Sequence, residues 1–397
     1  MAKVIVHIDL NAFFVRAEEL RNPLLENKAV AIGHLGRGGI VSTCSYEARK
    51  YGVRSAMPMN KAVKLCPDLI IVPPDYRWYI TLSHEFKKYI RSITKIVESA
   101  SVDELYADFT AVLKGVKDVE GYFRNIQKTL YKKTGLKCSI GVGPTKFLAK
   151  MGSDYQKPMG LTIIRRKDIR NILYPIPIED MYGIGKKTAP RLKHIGVKTI
   201  GDLANKLNNN EEMVTNILGK FSSELALWVN GYGSDKVETE YDDPKSIGNS
   251  TTLDSDTNQF DVIKTTYEVL CEEIEMRAKS SNMIGTTIQI MAKDTDYVAH
   301  NKSITLDRPT NNAKEILRVA LKLYEKNFLD MTVRAIGVTL QNLTNIKDVS
   351  IQMTFFDYEQ HMEESKTKLL INDINRKLKG APLKRASDLE DGNKRRG

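Results

Sequence analysis

The chain reads as a multidomain α+β protein on three observations. Apolar strands and amphipathic helices alternate through about the first 165 residues, and the alternation returns over residues 245–345. Between Ile169 and Gly233 the strand signal fades, and short helices with glycine turns take over. A length of 397 residues exceeds what one core usually serves.

The first element is the strand "KVIVHID", in which Val4, Val6 and Ile8 alternate with Ile5 and His7; a helix follows over "FFVRAEEL". "AVAIGHLGRGGIVSTCSYEARKYGV" reads as strand, glycine-rich turn, strand and short helix. "MPMNKAVKLCPDLIIVPP" reads as a helix and a strand stopped by Pro73 and Pro74. In "YRWYITLSHEFKKYIRSITKIV", Tyr79, Leu82, Phe86 and Ile90 recur at helical spacing, so this is a long amphipathic helix. Two strands, "KIVESAS" and "LYADFTAV", precede the helix "VEGYFRNIQKTLYKKTG", the strand "KCSIGVG" and the helix "TKFLAKMGSDYQK".

The middle region holds "MYGIGKKTAPRLKHIGVKTIGDLA", which fits a helix-hairpin-helix with Ala189 and Leu192 packing its second helix. Gly183 and Gly185 let the backbone approach a phosphate, and Lys186 and Lys187 add charge without sequence preference, which points to DNA backbone binding. "YDDPKSIGNS" is a linker running into an edge strand. A second α/β unit follows, with helix, two strands, helix and the strand "VRAIGVTLQNL". The last fifty residues or so are charged and helical in pattern, and the chain contains no internal repeat.

Lysine and arginine number 60 against 49 aspartate and glutamate, a formal +11 that favours a polyanionic partner, nucleic acid first. No segment approaches the roughly 20 apolar residues of a membrane span. The N-terminal apolar run is short and broken by His7 and Asp9, unlike a secretory signal. Cys44, Cys66, Cys138 and Cys271 lie far apart with no C-x-x-C pair, which argues against a disulfide framework or zinc site and fits a cytoplasmic setting. The histidines, His7, His34 and His84 among them, form no ligand spacing and need no catalytic role. Trp78 and Trp228 fall in helical patterns as core residues.

Adjacent side chains on a regular strand face opposite ways. Asp103 and Glu104 in "VESASVDELYAD" therefore share a task only if the chain bends between them. "VDE" falls where the two strands join, and at such a reversal the two-fold alternation lapses. Asp9 sits at the end of the first strand, and strand ends at one sheet edge are a usual place for a site. Three clustered carboxylates repel one another unless a cation neutralises them, and hard oxygen donors in this number suit Mg²⁺. Two such ions about 3.5–4 Å apart activate an attacking hydroxyl and stabilise a leaving phosphate oxygen. Spacing alone leaves a solvated hairpin as the alternative.

Four co-linear stretches, "HIDLNAFFVRAEE", "VSTCSYEARKYGVRSAMP", "SVDELYAD" and "GVGPTKFLAKMGSDYQKPMG", together resemble the Y-family DNA polymerases, nearest the bacterial DNA polymerase IV group that copies damaged templates. The similarity runs from Lys3 to about Leu343. It implies a polymerase right hand: a palm with a mixed β-sheet from 1–10 and 75–165, small fingers over 11–74, and a helical thumb with the helix-hairpin-helix over 166–233. A linker over 234–244, a separate α/β little finger over 245–345 and a tail over 346–397 complete it. The implied function is low-fidelity, template-directed DNA synthesis without proofreading. A primer 3′-hydroxyl attacks a deoxynucleotide α-phosphate with the help of two Mg²⁺ ions, a chemistry of positioning and charge neutralisation.

The resemblance also assigns residues. Asp9 and Asp103 would bridge both ions, Glu104 would complete the catalytic one, and the carbonyl of Leu10 would touch the other. Asp108 is read as structural. Phe14 matches a steric gate whose flat ring leaves no room for a 2′-hydroxyl, whereas periodicity alone makes it a core residue; adjacent Phe13 is the better core candidate. Tyr46 and Arg49, three apart on one helical face, and Lys157, at a helix tip ended by Pro158, would hold the triphosphate; without the family, Arg49 and Lys157 read as surface charges. "HLGRGG" lacks the G-K-[ST] ending of a phosphate loop and is a finger hairpin.

In the C-terminal unit, Lys245 and Arg334 would contact DNA phosphates. Gln352, Phe355 and Phe356 in "IQMTFFD" fit a bacterial sliding-clamp motif, with packing of the tail on its own domain as the alternative. In many relatives that motif closes the chain, but here the chain continues to residue 397. The implied partners are primer-template DNA, deoxynucleoside triphosphates and the clamp, for a monomer. The rival readings are a DNA-binding protein that lost catalysis and a metal nuclease or nucleotidyl cyclase on a similar sheet.

Overall fold

A computed structural model of the chain describes residues 3–240 and 242–348. The chain divides between Asp242 and Asp243 into two compact units. The first unit opens with β1 (Ile5–Leu10), α1 (Phe13–Arg21), β2 (Val30–Ile32), β3 (Thr43–Cys44), α2 (Tyr46–Lys50), α3 (Met59–Leu65) and β4 (Ile70–Val72). It continues through α4 (Tyr76–Arg91), β5 (Val97–Ser99), β6 (Glu104–Asp108), α5 (Val119–Thr134), β7 (Cys138–Gly143), α6 (Lys146–Tyr155) and β8 (Leu161–Ile163). Five helices end it: α7 (Ile169–Ile172), α8 (Thr188–His194), α9 (Ile200–Asn208), α10 (Glu212–Leu218) and α11 (Phe221–Val229).

The main sheet has the order β5-β6-β1-β7-β8, antiparallel except for the parallel β7–β8 pair, so it is mixed as expected. All six residues of its central strand β1 are buried, because both sheet faces are covered. Val6, Ile8 and Leu10 point into one core with Tyr79, Phe86 and Ile90 of α4 and Phe123, Ile126 and Leu130 of α5. That leaves Ile5, His7 and Asp9 on the opposite face, where Ile5 packs with Ala149 of α6.

Glycines set how closely α6 lies on this face. A carbon added to Gly141 of β7 would sit 1.9 Å from the Ala149 carbonyl oxygen, and one added to Gly152 of α6 would sit 3.0 Å from the Gly141 Cα. The helix begins where the Thr145 hydroxyl accepts from the Leu148 N–H, and its other side packs into the core of α7–α11 through Phe147, Leu148 and Met151. A smaller sheet, β3-β2-β4, lies between α1 and α4 in sequence, with β2–β3 antiparallel and β2–β4 parallel. The four cysteines are buried and unpaired, as expected.

The second unit contains β9 (Ser246–Thr257), α12 (Phe260–Ser280), β10 (Met283–Asp294), β11 (Ala299–Thr310), α13 (Ala313–Phe328) and β12 (Val333–Asn345). Its sheet, β11-β10-β12-β9, is antiparallel throughout, with β9 as the edge strand the linker was expected to enter. Ile263, Tyr267 and Ile274 of α12 and Ile316, Ala320 and Tyr324 of α13 pack on Ile288, Ile290, Ile336 and Val338. Among the described residues, no helix is long and apolar enough to cross a membrane.

Candidate active site

The two adjacent acids lie where the alternation lapses. β5 and β6 form a hairpin whose reversal holds Ser101, Val102 and Asp103, and Glu104 is the first residue of β6. Glu104 is the cross-strand partner of Asp9, on the α6 face. Asp103 stays in the bend: its N–H and that of Glu104 donate to the Ser101 hydroxyl, which donates to the Asp103 carboxylate at 2.6 Å. The Asp103 carbonyl accepts from the Leu10 N–H at 3.0 Å, which ties the bend to the end of β1. Asp108 is structural, its carboxylate accepting from the Thr110 N–H at 2.8 Å.

Two lysines stand among these acids. The Lys150 ammonium lies 2.7 Å from Glu104, 3.4 Å from Asp154 and 3.5 Å from Asp9. Lys157 lies 2.8 Å from both Asp9 and Asp154; its ammonium folds back to the acids and does not stand free beyond the helix tip. His7, expected to have no part in the site, is fully buried beneath it. Its Nδ1 is 2.7 Å from the Ser153 hydroxyl, and its Nε2 faces Glu104 at 3.6 Å, long for a hydrogen bond.

The electrostatics follow from burial and neighbours. Burial, helped by the adjoining Glu104 carboxylate, pushes Asp9 up to about 7, while Lys157 and Lys150 pull it back. Burial alone would raise Glu104, but its neighbours His7, Asp9 and Lys150 hold it well below the usual carboxylate range. Burial would also lower both lysines, yet the acids around them raise both. His7 is lowered by its burial.

A cavity of about 240 Å³ opens beside the acids, lined by Asp9, Leu10, Asp103, Phe14, Tyr46, Arg49 and Lys157 together with Ser42, Thr43 and Ser55. Seven residues named from the sequence thus meet in one place, with Glu104 paired to Asp9 beside them. Phe14 stacks on Tyr79 at 4.3 Å between ring centres and lines the cavity; Phe13 also borders it but is buried in the core. The Tyr79 hydroxyl donates to Glu18 at 2.7 Å, so the platform under Phe14 is itself held. The Arg49 guanidinium lies 4.7 Å over the Tyr46 ring, on a helix capped by Ser45, whose hydroxyl accepts from the Ala48 N–H. Ser42, Thr43 and Ser55 went unnoticed in the sequence, where hydroxyls are too common to single out.

Among the described residues, no three His, Cys, Asp or Glu side chains are gathered tightly enough to form a closed metal site, since Asp103 is turned to Ser101. The donor set nevertheless fits Mg²⁺: the groups are hard anionic oxygens at one edge of a cavity, with two ammonium groups as cations in their midst.

Of the other expected contacts, Gly183 has the left-handed φ of +91° that glycine favours, and Lys186 and Lys187 are exposed just before α8. Lys245 is exposed immediately before β9. Arg334 is less free than expected: it pairs with Asp256 at 3.5 Å and lies 4.3 Å over the Tyr297 ring. Gln352, Phe355 and Phe356 fall outside the described residues.

Comparison with known proteins yields three family matches: the impB/mucB/samB family over residues 8–154, the IMS family HHH motif over 166–197, and the impB/mucB/samB family C-terminal domain over 244–354. The chain is 35% identical to a DNA polymerase IV of Bacillus velezensis, covering 96% of this chain and 94% of the relative. It is 34% identical to DNA polymerase IV 1 of Bacillus subtilis, covering 98% and 96%. Among solved structures, it is similar to a Y-family DNA polymerase chimera of Dbh and Dpo4, with a TM-score of 0.74 at 28% identity over 85% of this chain and 98% of that one. A Dbh ternary complex matches with a TM-score of 0.59 at 28% identity, over 85% and 99%.

Proposed function

This chain belongs to the impB/mucB/samB family, as a Y-family translesion DNA polymerase of the DNA polymerase IV type, and on that premise we propose how its own residues do the work. The fold comprises a catalytic domain, a thumb with the HHH motif and a separate little finger built on an antiparallel sheet. We assign the palm to 1–10 and 75–165, the fingers to 11–74, the thumb to 166–233, the linker to 234–244 and the little finger to 245–345.

Asp9, Asp103, Glu104 and the Leu10 carbonyl are the groups that would hold two Mg²⁺ ions. When bound, such ions activate the primer hydroxyl and stabilise the oxygen of the departing pyrophosphate. Tyr46, Arg49 and Lys157 grip the triphosphate, with the guanidinium suited to paired phosphate oxygens. Phe14 lies beneath the sugar and rejects a 2′-hydroxyl by lack of room and of any hydrogen-bond partner. Gly183, Gly185, Lys186 and Lys187 contact the duplex backbone; Lys245 and Arg334 add phosphate contacts, Arg334 after yielding its hold on Asp256. One observation carries this reading: Asp9 and Asp103 line the same cavity as the phosphate-gripping set and the gate, with Glu104 across the strand.

Primer extension with Mg²⁺ tests it. Asp103→Ala and Glu104→Ala should each lower incorporation by about 10³-fold or more while duplex binding holds. Loss of folding would make the acids structural, and near-normal extension would remove their role. Gln352, Phe355 and Phe356 bind the bacterial sliding clamp, in a monomeric, cytoplasmic enzyme. Replacing both phenylalanines by alanine should keep unaided synthesis and abolish clamp stimulation; equal stimulation would assign the tail to packing.

A further inference from the structure

The two lysines among the acids differ in their surroundings. Lys150 is 8% exposed and lies in a run of buried α6 residues from Phe147 to Ser153. The close approach of Gly141 and Gly152 sets that helix directly on the sheet. Lys157 lies beyond the helix end, its side chain 24% exposed and lining the cavity. Departure of Lys157 would return a charge to water and phosphate; Lys150 is itself enclosed, and its departure would take from Glu104 its nearest cation, at 2.7 Å. Buried ion pairs contribute little to stability compared with apolar residues of similar volume, so the presence of Lys150 calls for another account.

We propose that Lys150 is a fixed internal cation of the carboxylate cluster and Lys157 a displaceable one. Without metal, both ammonium groups neutralise Asp9, Glu104 and Asp154; cation entry frees Lys157 alone to meet the triphosphate, and Lys150 remains as a positioning residue for Glu104. The inference rests on the reading of Asp9 and Glu104 as metal-holding acids. Asp154 touches both lysines, so it retains Lys150 after Lys157 has gone.

Binding of Mn²⁺ to the full-length protein, followed by electron paramagnetic resonance without DNA or nucleotide, tests this. Lys157→Ala should bind Mn²⁺ about tenfold more tightly than wild type, the size of one charged hydrogen bond no longer competing with the ion. Lys150→Met should lower the melting temperature of the metal-free protein, with Mn²⁺ restoring part of the loss. Unchanged or weaker binding by Lys157→Ala, or a Lys150→Met protein that melts like wild type, overturns the proposal. If Lys150→Met does not fold, the Lys157→Ala measurement decides alone. Asp9→Asn separates the two levels: wild-type Mn²⁺ binding there overturns the metal assignment itself. Lost binding in Asp9→Asn together with unchanged binding in Lys157→Ala overturns only the division between the lysines.

Discussion

On the α6 face of the five-stranded sheet, His7 and Asp9 of β1 are buried with Lys150 and Ser153 of α6, whereas in the four-stranded sheet the buried polar side chains among the described residues are Thr287 and Thr310. The first sheet draws charge inward against the expense of desolvation; the second keeps an apolar core under α12 and α13 and leaves its lysines and arginines outside. Burying charge is worthwhile where charge must be aimed at reacting atoms, and pointless where a surface has only to lie along a polyanion. The comparison sets a charged, cavity-lined strand end in the first unit against an apolar core in the second.

The largest effect expected from this contrast is at Gly141. Gly141→Ala drives a carbon into the α6 backbone and should cost about 3 kcal/mol or more, read as a shift in the urea midpoint, with incorporation lost alongside. At Gly248 on edge strand β9 an added carbon meets only the Thr339 side chain, its hydroxyl at 2.5 Å and two of its carbons at 3.0 and 3.1 Å, so Gly248→Ala should cost about 1–2 kcal/mol, less than Gly141→Ala. Equal losses at the two glycines would break the contrast.

A smaller change is expected at Phe14. Phe14→Ala should raise ribonucleotide use relative to deoxynucleotide use at least tenfold, about the size of other steric discriminations. Tyr297→Ala, removing a ring 65% exposed in the second unit, should leave that ratio alone. Unchanged discrimination in Phe14→Ala would return the ring to a packing role.

The smallest effect belongs to the second core, where the hydroxyls of Tyr267 and Tyr324 are buried without a hydrogen-bond partner. Tyr324→Phe should alter thermal stability by no more than about 1 kcal/mol and tend to raise it, because an unpaired polar atom is removed. A loss above about 2 kcal/mol would mean that this core depends on a hydroxyl contact.

The strand ends and the bend between them were legible because Asp9, Asp103 and Glu104 interrupt apolar runs. α4 was legible because Tyr79, Leu82, Phe86 and Ile90 keep helical spacing, and all four are buried. β8 escaped notice: it is three residues long, and its parallel pairing with β7 is a tertiary matter. Lys150 and Asp154 also escaped, since charges on a helix normally mark its wet side. A signal did exist, because Lys150 interrupts "FLAKM", where every neighbour is apolar, and a lone cation in such a run points inward. His7 was misread for a similar reason, as strand alternation says which face a residue takes but not what waits there. The hydroxyls of the cavity wall came together only through folding.

The register of β6 also limits how this enzyme can vary. Glu104 faces Asp9 because β6 pairs with β1 in one register, which Leu105 and Ala107 fix by burying the opposite face. A slip of that pairing by one residue would turn Glu104 to the far side of the sheet, even with every acid still in the gene. Changes in β6 that shift its register should therefore be lethal to synthesis, while substitutions of Val102, which is exposed in the bend, pass unnoticed.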